Sequence, residues 1–132
     1  VYWPALDLKK MGEFYHSSGK IALMAAYDNK DGRGEEGLKC NTIIDDENKV
    51  VCYGPHTDDP RFKWAPVGFF ILSRNVVDFM PKRGNFNFHQ ATLPDLARKG
   101  ELMAWKTNEV QDTITSPKHL SNFANKIKLP NQ

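Results

Sequence analysis

Few residues in this chain have types and spacings that could do chemistry, and most of those patterns fail on their spacing. Gly32-Arg33-Gly34-Glu35-Glu36-Gly37 carries the letters of a dinucleotide-binding fingerprint. That fingerprint works by opening a helix whose N-terminal amides receive a pyrophosphate. Here the segment leads into β-rich sequence and brings two glutamates that repel an anion, so it reads as a solvated loop. Asp28 to Glu36 is rich in carboxylates, but Lys30 stands at the third position, where a calcium loop needs an oxygen ligand. Asp45-Asp46-Glu47 reads as the polar turn of a hairpin. The four histidines, His16, His56, His89 and His119, are scattered, and none has a partner at metal-ligand spacing. Cys40 and Cys52 fall on the two arms of that hairpin, where they are expected as buried thiols and possible cross-strand neighbours. No Ser-His-Asp signature such as G-x-S-x-G is present.

One carboxylate stands apart. Asp112 lies in Val110-Gln111-Asp112-Thr113-Ile114-Thr115-Ser116-Pro117, between a predicted strand and a predicted terminal helix. A carboxylate at the carboxyl edge of a sheet is placed to hold Mg²⁺ against a phosphate, because Mg²⁺ favours one or two carboxylates plus substrate oxygens. On the local sequence alone, a turn aspartate that bonds nearby amides is the stronger reading.

Positioning these residues requires a regular framework. Asp7 is placed to cap a helix with Leu8, Met11, Phe14 and Tyr15 at helical spacing, stopping near Ser17-Ser18-Gly19. Lys20 to Tyr27 is a short apolar run ending at Asp28-Asn29, which predicts a buried strand. Leu38 to Ile44 and Lys49 to Tyr53 predict a β-hairpin around Asp45-Asp46-Glu47-Asn48. Val67 to Leu72 predicts a central strand, followed by a short helix capped by Ser73 and ended by Pro81. Asn87 to Lys99 predicts a helical segment with Phe88, Ala91, Leu93, Leu96 and Ala97 inward, and Pro94 either kinks it or marks its first turn. Gly100 ends it and Leu102 to Trp105 returns as a strand. Ser116-Pro117 opens a last helix whose buried stripe is expected to be Leu120, Phe123, Ala124 and Ile127. Helices alternate with strands around one inserted hairpin, so the expected fold is a layered α/β domain with a mixed β-sheet and flanking helices.

Composition bounds the function. The 132 residues suit one module, 1–132, with no repeat or long linker, and 40% hydrophobic with 26% charged residues is a globular balance. Eighteen basic against sixteen acidic residues leave +2, too little to call for a nucleic-acid groove or an anionic membrane surface. No run reaches the roughly 18 apolar residues of a transmembrane helix. Val1-Tyr2-Trp3-Pro4 lacks the basic start and apolar stretch of a signal peptide, and two cysteines make no disulfide framework. The expectation is a reduced, cytoplasmic protein that binds neither nucleic acid nor membrane.

The order of these segments resembles the C-terminal half of the sugar-phosphate nucleotidyltransferases, which join a nucleoside triphosphate to a sugar 1-phosphate. The similar passages are Asp7-Leu8-Lys9-Lys10-Met11 through Phe14-Tyr15-His16 to Ala22-Leu23-Met24, and the hairpin Asn41-Thr42-Ile43-Ile44-Asp45 to Lys49-Val50-Val51-Cys52-Tyr53. Val67-Gly68-Phe69-Phe70-Ile71-Leu72-Ser73 with Val76-Val77-Asp78 follows. Leu96-Ala97 to Gly100-Glu101-Leu102-Met103-Ala104-Trp105 then leads to Asp112-Thr113 and Ser116-Pro117. The resemblance implies roles residue by residue. Asp112 matches a metal aspartate, holding Mg²⁺ in the complete enzyme. Gly68 matches a glycine that lets the sugar lie against its strand, and Asn41 matches a hairpin position facing the sugar and base. It also implies absent parts: the glycine-rich triphosphate loop with its arginine, and the first metal aspartate expected just ahead of Val1. The chain is thus expected to be an incomplete domain, with nucleoside triphosphate and sugar 1-phosphate as its partners in the complete enzyme, and to be inactive alone. Uncovered sheet edges and an apolar face would then favour self-association or pairing with an N-terminal half. Two departures stand out. The usual acidic residue and lysine past the hairpin are replaced by Tyr53-Gly54-Pro55-His56, leaving Lys63 as a candidate substitute, and the glycine after Asp112-Thr113 is Ile114. The alternative is a non-catalytic remnant of the fold that serves in interaction or assembly.

Overall fold

A computed structural model describes residues 6–29, 40–54, 59–108 and 116–126. Helix α1 (Leu8–Ser18) starts where the Asp7 carboxylate accepts the Lys10 amide at 3.0 Å, and it ends at Gly19 in the left-handed conformation. Strand β1 (Ala22–Asp28) follows, then β2 (Thr42–Ile44), β3 (Val50–Tyr53) and β4 (Trp64–Leu72). Ser73 caps the next helix as expected, but Arg74–Phe79 forms a 3-10 helix rather than an α-helix. The Asn87–Lys99 segment divides into α2 (Phe88–Ala91) and α3 (Leu93–Arg98) at Thr92. Pro94 explains the break, because it has no amide for the Gln90 carbonyl and its ring crowds that carbonyl. Strand β5 (Leu102–Thr107) and α4 (Pro117–Lys126) complete the chain. No helix among the described residues is long and apolar enough to cross a membrane.

The five strands form one mixed sheet in the order β3-β2-β4-β1-β5, with β1 and β5 parallel and the other pairs antiparallel. This is the layered α/β fold read from the sequence. Ala22 to Tyr27 of β1 are all 0% exposed, because layers cover both sheet faces. Alternation along β1 sends Ala22, Met24 and Ala26 to one face and Leu23, Ala25 and Tyr27 to the other. On the second face α1 packs through Met11, Phe14 and Tyr15, with Phe14 edge-on to Trp105 at 5.8 Å. The first face takes the 3-10 helix, α2 and α3, with the β2–β3 hairpin among them.

That hairpin spans more of the sheet than strand order alone suggests. It leaves β4 at the Thr42–Trp64 pair, yet at its turn the Ala104 amide donates to the Asn48 carbonyl at 2.8 Å and Lys49 bridges Met103. It therefore passes across β1 on the first face, where Ala22, Ala26 and Ala104 are small enough to admit Ile44, Val50 and Tyr53. α3 then packs on β3 from outside. The hairpin turn meets the outer side of β5. The turn itself is built by Asp45, whose carboxylate accepts the Glu47 and Lys49 amides at 3.0 and 2.8 Å, and by Asn48 at φ 62°. Asparagine is among the few non-glycine residues that tolerate that conformation.

Two expectations need correction. Cys40 and Cys52 are not cross-strand neighbours: Ile43 lies opposite Cys52, and both thiols are reduced and only half-buried. Burial, then the nearby Asp28 charge, pushes the Cys40 thiol pKa up. The expected α4 stripe is present in sequence but not buried, since Leu120 is 55% exposed and Ala124 is also exposed, while Ile127 lies outside the described residues. Helical spacing identifies an apolar face but not the surface that covers it. The Ser116 cap holds, accepting the His119 amide at 3.2 Å.

Candidate substrate site

Two groups of polar side chains lie on the hairpin face. The first is a hydrogen-bonded chain starting at Asn41, the residue just before β2. The Thr42 hydroxyl donates to Asn41 Oδ1 at 2.8 Å, and the Asn41 side chain stands near enough to the Tyr53 hydroxyl to hold its pKa down in part. The Tyr53 hydroxyl lies 2.7 Å from His89 Nδ1. Which of the two donates is set by the imidazole tautomer. His89 is exposed and stands edge-on to Phe70 and Phe88, with ring centroids 5.8 and 6.1 Å away. The buried Tyr53 is thus joined directly to an imidazole at the surface. Such a chain can orient donors and acceptors toward the hydroxyl groups of a polar ligand.

Gly68 belongs to the same face. Met24 pairs with Phe70 and Ala26 with Pro66, so Val67, Gly68 and Phe69 together oppose Ala25 in a bulge. Gly68 is exposed and has φ 84°, while Val67 and Phe69 both turn to the α1 face. Glycine is needed here to form the bulge, because an L side chain is strained at that φ. This reason is separate from the close sugar approach implied by the resemblance. Asn41 and Gly68 therefore share a face, but Gly68 lies four residues along β4 from Trp64, which receives the Asn41 amide at 3.2 Å.

The second group lies at the carboxyl ends of the parallel strands β1 and β5. Asp28, Trp64, Lys106, Thr107 and Asn108 line an open cleft of about 420 Å³. A second cleft of about 450 Å³, lined by Ile43, Ile44, Pro60, Arg61, Lys63 and Trp64, adjoins it across the indole. Lys63 and Lys106 place their ammonium groups 5.5 and 5.2 Å from the Trp64 ring centre. Lys63 also pairs with Asp28 at 3.8 Å, so the candidate substitute lysine does stand at this edge. Sequence reasoning passed over Tyr53, His89, Trp64 and Lys106. His89 is 36 residues from Tyr53 in the chain, and no local spacing signals such a contact.

Asp112, His56 and the Gly32–Gly37 segment lie outside the described residues. Among the described residues no three metal-ligating side chains cluster, so they do not by themselves build a Mg²⁺ site.

Burial pushes the pKa of Tyr53 up, and the hydrogen bond from Asn41 offsets part of that rise. The folded state therefore favours the neutral hydroxyl. Its contribution to stability is fully present below the ordinary tyrosine value of about 10 and is lost as pH rises through the higher folded value. The unfolding free energy of the wild-type chain should fall more steeply above about pH 10 than that of Tyr53→Phe. Denaturant titrations of both proteins across that range check this, and parallel profiles would refute it.

No protein-family model matches the chain. Over 53 residues, 40% of this chain, it is 40% identical to a Bacillus subtilis (strain 168) protein described as a "probable glucose-1-phosphate cytidylyltransferase". The matched stretch spans 21% of that curated relative.

Proposed function

We propose that this chain is the sugar-phosphate-binding part of a nucleotidyltransferase that joins a nucleoside triphosphate to a sugar 1-phosphate and releases pyrophosphate. The partial match to the cytidylyltransferase carries the reading, and it supports a nucleotidyltransferase-like relationship. The sheet supports it physically, because open α/β sheets bind ligands beyond the carboxyl ends of their parallel strands. In the proposed reaction a sugar phosphate oxygen attacks the α-phosphorus of the triphosphate. Such transfer depends on positioning and charge neutralisation more than on a protein nucleophile. Asn41, held by Thr42, would orient the sugar, and the surface at Gly68 would receive the ring face. By resemblance, Asp112 would hold Mg²⁺, which would supply charge neutralisation at the phosphates.

Calorimetric titration of the chain with glucose 1-phosphate, glucose and a nucleoside triphosphate tests this reading. Saturable binding of glucose 1-phosphate, tighter than that of glucose, is expected. A folded chain that binds neither sugar would instead favour a non-catalytic remnant used in assembly.

A further inference from the structure

We infer that Lys106, braced by the hairpin turn and the Trp64 indole, is the phosphate anchor of this site, with Lys63 as its flank. The inference rests on the sugar-phosphate reading and deepens it by naming where the phosphate monoester sits. Three cations line the two clefts around Trp64: Arg61, Lys63 and Lys106. Arg61 is committed to Asp59 through contacts of 2.6 to 3.1 Å. Lys63 is paired with Asp28, at the longer distance of 3.8 Å. Lys106 has a neutral partner instead: its Nζ donates to the Asp45 carbonyl at 3.2 Å and lies over the Trp64 ring. No carboxylate of the described residues lies within ion-pair distance of it.

Both ammonium groups lie within 6 Å of the Trp64 ring centre, and of the two only Lys63 forms an ion pair with Asp28, the carboxylate that also lines the Lys106 cleft. A phosphate monoester near pH 7 carries close to two negative charges and several acceptor oxygens. Placed in the cleft, it would satisfy the Lys106 donors that the Asp45 carbonyl leaves over. Position agrees with charge. Lys106 shares its face of β5 with Leu102 and Ala104, so it projects toward the hairpin beside Asp28 and Trp64. The ammonium is also held before any ligand arrives, which lowers the ordering cost of binding.

The test uses the 132-residue chain with glucose 1-phosphate, glucose and inorganic phosphate as calorimetric probes, and compares wild type with Lys106→Gln, Lys106→Arg and Lys63→Gln. Lys106→Gln should weaken glucose 1-phosphate about 10-fold or more while leaving glucose unchanged, the scale of a lost hydrogen bond to a charged group. Lys63→Gln should weaken it less, and Lys106→Arg should recover most of the affinity. A folded Lys106→Gln that binds glucose 1-phosphate as wild type does would overturn the proposal. So would a loss accompanied by lowered melting temperature that Lys106→Arg does not repair, since Lys106 would then only brace the hairpin. Inorganic phosphate separates the two readings. If it binds through Lys106 while glucose 1-phosphate does not bind, the anion site stands and the sugar-phosphate function falls. If glucose 1-phosphate binds independently of Lys106, the function stands and this anchor falls.

Discussion

Replacing Leu96 by alanine is expected to cost about 2–5 kcal/mol of stability, the range for truncating a buried leucine. Leu96 is 0% exposed and sits in the cluster that joins α3 to the hairpin and to β1. Because α3 packs on β3 while the hairpin crosses the sheet, a cavity at Leu96 loosens both layers at once. A domain of this size is worth only about 5–15 kcal/mol in total, so the variant should be near its folding threshold. Leu96→Met, which nearly conserves volume, should cost less than about 1.5 kcal/mol. Urea titration of both variants measures the difference. Equal, small losses would show that α3 does not seal the core.

Asn41→Ala should cost about 1–3 kcal/mol for each buried hydroxyl it strands, the penalty for leaving a buried polar group unsatisfied. The hydroxyl at stake is that of Thr42, which is 0% exposed and donates to Asn41 Oδ1. Tyr53 is bonded to His89 and keeps that partner in the variant. The energetics should be non-additive. Once Thr42→Val has removed the hydroxyl, Asn41→Ala should cost clearly less, because no stranded donor remains. A double-mutant cycle by chemical denaturation reads this directly. Strict additivity would mean that the Thr42–Asn41 bond contributes nothing. In the same variants glucose 1-phosphate affinity should fall most with Asn41→Ala and less with Thr42→Val, which keeps Asn41 but removes the bond that holds it.

Local chemistry made much of this fold legible. The Asp7 cap, the stop at Gly19, the unalternating run of β1 and the Ser73 cap are set by nearest neighbours along the chain, and each appears where its residues predict it. The hairpin was legible as a hairpin, with its turn marked by Asp45 and Asn48. Its path was not, because the bond from Ala104 to Asn48 joins residues 56 positions apart. The small side chains Ala22, Ala26 and Ala104, which admit it, read as nothing more than apolar strand. The α4 stripe failed for a related reason: amphipathic spacing names a face but no partner. The site divides in the same way. Asn41 and Gly68 could be named from the resemblance, and Gly68 has an additional conformational reason in its φ of 84°. His89 and Lys106 become site residues only through the bonds that join them to Tyr53 and to the hairpin turn.

The most direct measurement of the central claim is backbone amide chemical-shift mapping of the chain titrated with glucose 1-phosphate. The account predicts saturable shifts confined to the hairpin face and to the carboxyl ends of the parallel strands: Asn41, Tyr53, Trp64, Gly68, His89 and Lys106. The amides of α1, including Met11 and Phe14, lie behind the sheet and should stay unmoved. Shifts centred on α1, or none at millimolar sugar phosphate in a folded sample, would contradict the claim that this face binds the sugar phosphate.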